Sequence, residues 1–163
     1  MPTCNCSLFN KNCSEFQHEQ REEVVCKDKG PAVYRYKNKN LCPDHLAKYR
    51  VEPRKKLPGL IADGMKCDFL LLNCEEQKAF FIELKGADLK KAVRQINAAV
   101  ARLESELRQS GFAIYARIVL TKASQTDLKD AEYKRLERKM KNLRGDLQQR
   151  SGEYIEINEE EKS

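Results

Sequence analysis

The chain reads as an α/β protein: a mixed central sheet flanked by helices, behind a cysteine-rich N-terminal extension. Three observations predict this. Residues 67–73 and 78–84 are short apolar runs around the polar tetrad Cys74-Glu75-Glu76-Gln77, the pattern of two buried strands joined by a tight connection. Leu89, Ala92, Val93, Ile96, Val100, Leu103 and Leu107 recur at the spacing of one helical face. Residues 112–120, FAIYARIVL, then return as a further strand, and a strand, helix and strand so connected imply a parallel crossover.

Composition narrows the class. At 163 residues, with 40% hydrophobic and 34% charged side chains and no tryptophan, the chain is one ordinary domain with a small appendage and can bury a core. Lys and Arg outnumber acids 31 to 25, a formal charge of +6, which mildly favours a polyanionic partner. No apolar run approaches the roughly 20 residues that span a bilayer. The start, MPTCNCSLFN, lacks the basic and apolar regions of an export signal. A cytoplasmic protein with no membrane partner is expected, and the odd cysteine count, seven, then points to reduced thiols.

Residues 1–50 hold five of the seven cysteines and both histidines. Residues 14–25 read as a short helix started by Ser14, residues 32–36 alternate like a strand, and residues 37–40 form a hairpin turn before Leu41 and Cys42. Cys42-Pro43-Asp44-His45 has the form of a zinc knuckle, but Lys29 stands where the first knuckle needs its second cysteine. Cys26, Cys42, His45 and one of Cys4, Cys6 or Cys13 are the ligands a structural Zn²⁺ would take; the alternative is a set of small buried hydrophobes. Residues 51–58 are a basic linker between prolines, either a solvated connector or a segment lying along a phosphate backbone. Residues 59–64 read as a short strand ending in an Asp-Gly turn.

The chemistry gathers in residues 65–95. If the hairpin connection is centred between Glu75 and Glu76, with two or four loop residues, residues whose numbers sum to 151 face each other. Asn73 then opposes Lys78, Leu70 opposes Phe81, and Asp68 opposes Glu83 at roughly 4.5–5.5 Å. Lys85 shares the face of Glu83, because side chains alternate along a strand. Two carboxylates in a dry setting need a cation between them, and oxygen ligation suits Mg²⁺ or Mn²⁺. Lys85 would hold the attacking water or the developing charge, so the set supports metal-assisted phosphodiester hydrolysis. A plain cross-strand charge cluster is the competing account.

Asp68, followed by Glu83-Leu84-Lys85 and then a helix bearing Gln95, resembles the PD-(D/E)XK nuclease superfamily, which includes Holliday-junction resolvases and many restriction-type endonucleases. The resemblance covers about residues 60–120. It implies a restriction-endonuclease-like core over residues 59–158, with Asp68, Glu83 and the Leu84 backbone carbonyl binding the metal, Lys85 assisting water and Gln95 supporting the site. It departs from the pattern at Gly64-Met65-Lys66-Cys67, where a proline usually precedes the Asp. Glu52, Glu19, Glu22 and Glu23 are candidates for a further acid. The implied partner is nucleic acid, with DNA favoured, and a homodimer is the expected route to cutting a duplex, since one site cuts one strand. A binding or protein-interaction module without hydrolysis is the rival.

Beyond Lys85, Gly86 breaks the strand and Asp88 caps the helix over residues 89–107, which ends at Ser110-Gly111. A second helix is expected from residues 122–130 to about Arg150, with a basic face that tracks nucleic acid or is simply solvated. Residues 153–157 alternate like an edge strand, and residues 159–163 form a disordered acidic tail.

Overall fold

A computed structural model describes residues 7–86, 88–122 and 130–159, with Lys85 described by its backbone. Strands β1 (Ser14–Gln20), β4 (His45–Arg50), β5 (Phe69–Asn73), β6 (Lys78–Lys85), β7 (Ala113–Leu120) and β8 (Leu147–Ser151) form a six-stranded sheet in the order β1-β4-β5-β6-β7-β8. The pairs β1/β4, β4/β5 and β5/β6 are antiparallel, whereas β6/β7 and β7/β8 are parallel. Strands β2 (Glu23–Lys27), β3 (Val33–Asn38) and β9 (Glu153–Asn158) make a second sheet in the order β2-β3-β9.

The six-stranded sheet is the middle layer of three, which explains why its central strands are apolar on both sides. Ala79 and Phe81 of β6 pack with Ala92, Ile96 and Val100 of helix α1 (Leu89–Gln109) and with Leu136 and Met140 of helix α2 (Ala131–Asn142). Phe80 and Ile82 face the small sheet, against Tyr34, Tyr36 and Tyr154. Each such large side chain contributes about 1.5–3 kcal/mol when fully buried. The mixed sheet was expected to carry helices on its flanks; helices cover one face and a second sheet covers the other.

The hairpin register follows the expected sum over Asn73↔Lys78, Leu70↔Phe81 and Phe69↔Ile82. Helix α1 also follows its pattern. Asp88 accepts from the Lys91 amide, all seven spaced apolar residues are buried, and Gly111, at φ 85°, turns the chain so that the Phe112 amide bonds the Leu107 carbonyl at 2.9 Å.

Elsewhere tertiary pairing overrides local preference. Residues 14–25, expected as a helix, are β1 and β2. Phe16 pairs with Lys48 of β4 and His18 takes φ 52°, which a helix cannot hold. Residues 37–42 do not close a hairpin, because β3 and β4 belong to different sheets. Thus β1 and β4, from the segment expected to stand apart, are strands of the same sheet as β5 to β8.

The segment 51–58 is no free linker. Val51 is fully buried, Arg54 and Leu57 exchange two backbone hydrogen bonds, and Leu60 and Ile61 donate to the carbonyls of Arg50 and Val51. Residues 60–61 make those bonds without forming the expected strand.

The second helix stops at Asn142 rather than near Arg150. Arg144 adopts φ 70°, and a Cβ on Gly145 would lie 1.8 Å from the Ile114 carbonyl oxygen, so the chain turns there and residues 147–151 pair with β7 as β8. The expected start over 123–129 and most of the acidic tail, 160–163, lie outside the described residues.

Candidate metal centre

The parallel strands β6 and β7 end side by side, with the Thr121 amide bonded to the Gly86 carbonyl at 2.9 Å. Around that end opens a cleft of about 400 Å³ lined by Asp28, Lys29, Gly30 and Ala32 from the β2–β3 turn, Glu52 and Arg54 after β4, Asp68 before β5, and Leu84, Gly86 and Thr121.

Asp68 reaches this cleft through a local irregularity. Its carbonyl accepts from the Val51 amide at 3.0 Å, while its own amide donates to the Ile82 carbonyl at 3.1 Å. Since Phe69, the first residue of β5, is already the partner of Ile82, Asp68 and Phe69 both stand opposite that one residue of β6, a β-bulge. The bulge re-aims the side chain: Asp68 Oδ2 accepts from the Leu84 amide at 2.8 Å, filling the place a further β5 residue would take.

The carboxylate oxygens of Asp28, Glu52 and Asp68 lie within 4.8 Å of one another. Burial, foremost, raises the Asp68 carboxyl to about 6; the Leu84 amide opposes this, and a hydrogen bond with Glu52 and the charges of Asp28 and Glu52 add to it. Arg54 ion-pairs with Asp28 through Nη2, which also stands 4.0 Å from Glu52 Oε2. Arg50, 5% exposed, holds its guanidinium 4.3 Å from the Phe69 ring centre and donates through Nε to the Glu52 carbonyl.

Three hard oxygen donors at this spacing, one of them on a buried carboxyl, fit a small divalent cation such as Mg²⁺ or Mn²⁺. Among the described residues this is the one group of three or more His, Cys, Asp or Glu side chains close enough to share an ion.

The expected residues divide. Asp68 is in the cluster, and Glu52 supplies the further acid. Glu19 and Glu23 pair instead with Arg21 and Arg35, and Glu22 lies beside Lys37 and Asn38 in a separate depression. Glu83 is fully buried but is not part of the cluster. Strand alternation sends it, like Ala79 and Phe81, toward α1, whereas Leu84 lines the cleft. Asp68 was expected to share a face with Glu83; it instead lines the cleft beside Leu84, the neighbour of Glu83 that points to the other side of β6. Lys85 ends β6; its side chain lies outside the described residues.

Gln95 does not line the cleft. Its Nε2 donates to the Lys66 carbonyl at 3.1 Å, so α1 holds the backbone two residues before Asp68. Asp28 was missed from the sequence, because no spacing rule ties a turn of the small sheet to β5.

Among the described residues the possible zinc ligands are dispersed; Cys4 and Cys6 lie outside them. Cys13 packs in the core shared with α1, and Cys26 in the core between the sheets. Cys42 is exposed and accepts from Gln20 Nε2. His45 stacks on His18 at 4.2 Å and bonds Glu75 through Nδ1. Cys13 and Cys26 lie on opposite faces of the large sheet and cannot meet at one ion. Cys13, Cys26, Cys42 and Cys67 are free thiols, but Cys74 is disulfide-bonded, against the expectation of reduced thiols throughout.

Comparison with protein-family models, curated proteins and solved structures finds no match. Among the described residues no helix is long and apolar enough to cross a membrane.

Proposed function

We propose that the protein is a divalent-cation-dependent hydrolase of phosphodiester bonds in nucleic acid, with Asp28, Glu52 and Asp68 as the carboxylates that hold the cation. The observation that carries this reading is the meeting of three acids from three separate chain segments in one cleft at the end of the parallel strands. A bound Mg²⁺ or Mn²⁺ would polarise a phosphoryl oxygen and lower the pKa of a bound water.

The chain's own residues do the rest. The bulge and the Leu84 amide fix the Asp68 carboxylate, and Gln95 fixes the approach to it. Lys85, at the end of β6, is the candidate for orienting the attacking water. Lys29, Lys55 and Lys56 are exposed around the mouth and adjoining hairpin, and with the net charge of +6 they favour a polyanion as substrate.

The test is incubation of the purified protein with DNA and RNA oligonucleotides, with and without Mg²⁺ or Mn²⁺. Cleavage should require the metal and vanish in Asp68→Asn and Glu52→Gln proteins that keep the wild-type circular dichroism spectrum. Metal-independent cleavage, or cleavage untouched by both substitutions, defeats the reading. A binding module without hydrolysis draws on a specific contact, the Arg54–Asp28 pair, which offsets the acids without a metal. It predicts salt-sensitive binding and no product.

A further inference from the structure

Arg54 sits where a divalent cation would compete with it. It is held by a built element: the exchanged backbone bonds between Arg54 and Leu57 close a short hairpin at the cleft rim, with Lys55 and Lys56 exposed at its tip. Gly59 fastens this hairpin to β4, since a Cβ there would lie 2.3 Å from the Val51 carbonyl oxygen. Of the three cations on the hairpin, Arg54 alone ion-pairs with the cluster acids, through Nη2 to Asp28 and at 4.0 Å to Glu52. Its side chain is 36% exposed, so the guanidinium can leave the acids without passing through the core.

We propose that Arg54 is the counter-ion that the divalent cation displaces, and that the released guanidinium becomes a ligand for a phosphate of the bound nucleic acid. The inference rests on the metal reading above and adds a substrate-binding residue to it. Its physical basis is charge balance. Two of the three acids are partly neutralised by Arg54 in the free protein. A dication taking those oxygens repels the guanidinium and leaves a planar donor fork, suited to bidentate phosphate binding, at the mouth of the cleft. The hairpin keeps that fork within reach, because its base does not need to move.

Calorimetric titration with MnCl₂ alone compares the wild type, Arg54→Gln and Lys56→Gln. Arg54→Gln should bind Mn²⁺ roughly fivefold more tightly, as expected for loss of a competing, partly exposed ion pair. Lys56→Gln should stay within about twofold, as expected for a screened charge that does not touch the acids. A second titration uses a phosphorothioate oligonucleotide with and without Mn²⁺; Arg54→Gln should weaken its binding only when Mn²⁺ is present. Unchanged or weaker Mn²⁺ binding by Arg54→Gln overturns the inference. So does equal loss of oligonucleotide affinity in both conditions, or wild-type oligonucleotide binding that ignores Mn²⁺. If the wild type binds no Mn²⁺, the metal reading fails and takes this one with it. If it binds and only the Arg54 comparisons fail, the metal reading stands.

Discussion

The Leu84 amide donates to Asp68 Oδ2 at 2.8 Å, so the side chain just before β5 completes the hydrogen bonding of β6 where the hairpin ladder runs out. The two atoms of this bond make opposite demands. The amide needs an acceptor, which an amide oxygen would satisfy equally, whereas a cation needs the charge. Asp68→Asn should therefore leave the metal-free fold at least as stable as the wild type while abolishing Mn²⁺ binding. Asp68→Ala strands a buried donor and should cost about 1–3 kcal/mol. Urea denaturation with and without Mn²⁺ separates the two, and equal destabilisation by both substitutions would contradict the role assigned to the bond.

The same carboxyl predicts a pH dependence. Its folded-state value, about 6, lies above the ordinary 3.8, so between those values the folded protein holds more protons at this site than the unfolded chain. The contribution is fully present below pH 3.8 and is lost as pH rises through about 6. In metal-free protein, the wild type should lose melting temperature relative to Asp68→Asn as pH rises across that window. Mn²⁺ affinity should move the other way and strengthen as the proton leaves. Parallel melting curves for the two proteins from pH 4 to pH 7, in steps of about half a unit, would refute this.

Gln95 tests positioning apart from ligation. Gln95→Leu removes the donor to the Lys66 carbonyl without removing any cluster carboxylate, and Gln95→Glu replaces a donor by an acceptor. Both should weaken Mn²⁺ binding by several-fold, in keeping with the roughly 0.5–1.5 kcal/mol a typical hydrogen bond contributes. The helical circular dichroism signal should be unchanged. Mn²⁺ titration gives the readout, and wild-type affinity in both variants would remove Gln95 from the site.

Gly59 and Gly145 carry steric predictions. An alanine at 145 would place its Cβ 1.8 Å from the Ile114 carbonyl oxygen, and one at 59 would place it 2.3 Å from that of Val51. Each substitution forces backbone apart and should destabilise by more than about 2 kcal/mol. Gly59→Ala should also weaken Mn²⁺ binding, because the Val51 backbone that its Cβ would push aside directly precedes Glu52. Thermal melting paired with Mn²⁺ titration distinguishes the two positions.

What was legible in the sequence is what local pattern enforces. The register of β5 on β6, the span and buried face of α1, its Asp88 cap and the return of β7 all follow from apolar periodicity and turn residues whose partners lie close in the chain. Asp68 and Gln95 could be singled out because each sits beside such an element. The rest depended on contacts between distant segments. Pairing with β4 made a strand of residues 14–20, which read locally as a helix started by Ser14, and the close approach of Gly145 to Ile114 ended α2 early and freed β8. The extra residue at Asp68 turned its carboxylate away from the Glu83 register. That turn brought it to Asp28 and Glu52, from segments 40 and 16 residues upstream in the chain. Periodicity tells which face of an element is buried, but three carboxylates meet in one cleft only when separate sheets pack, and that packing is a property of the whole chain.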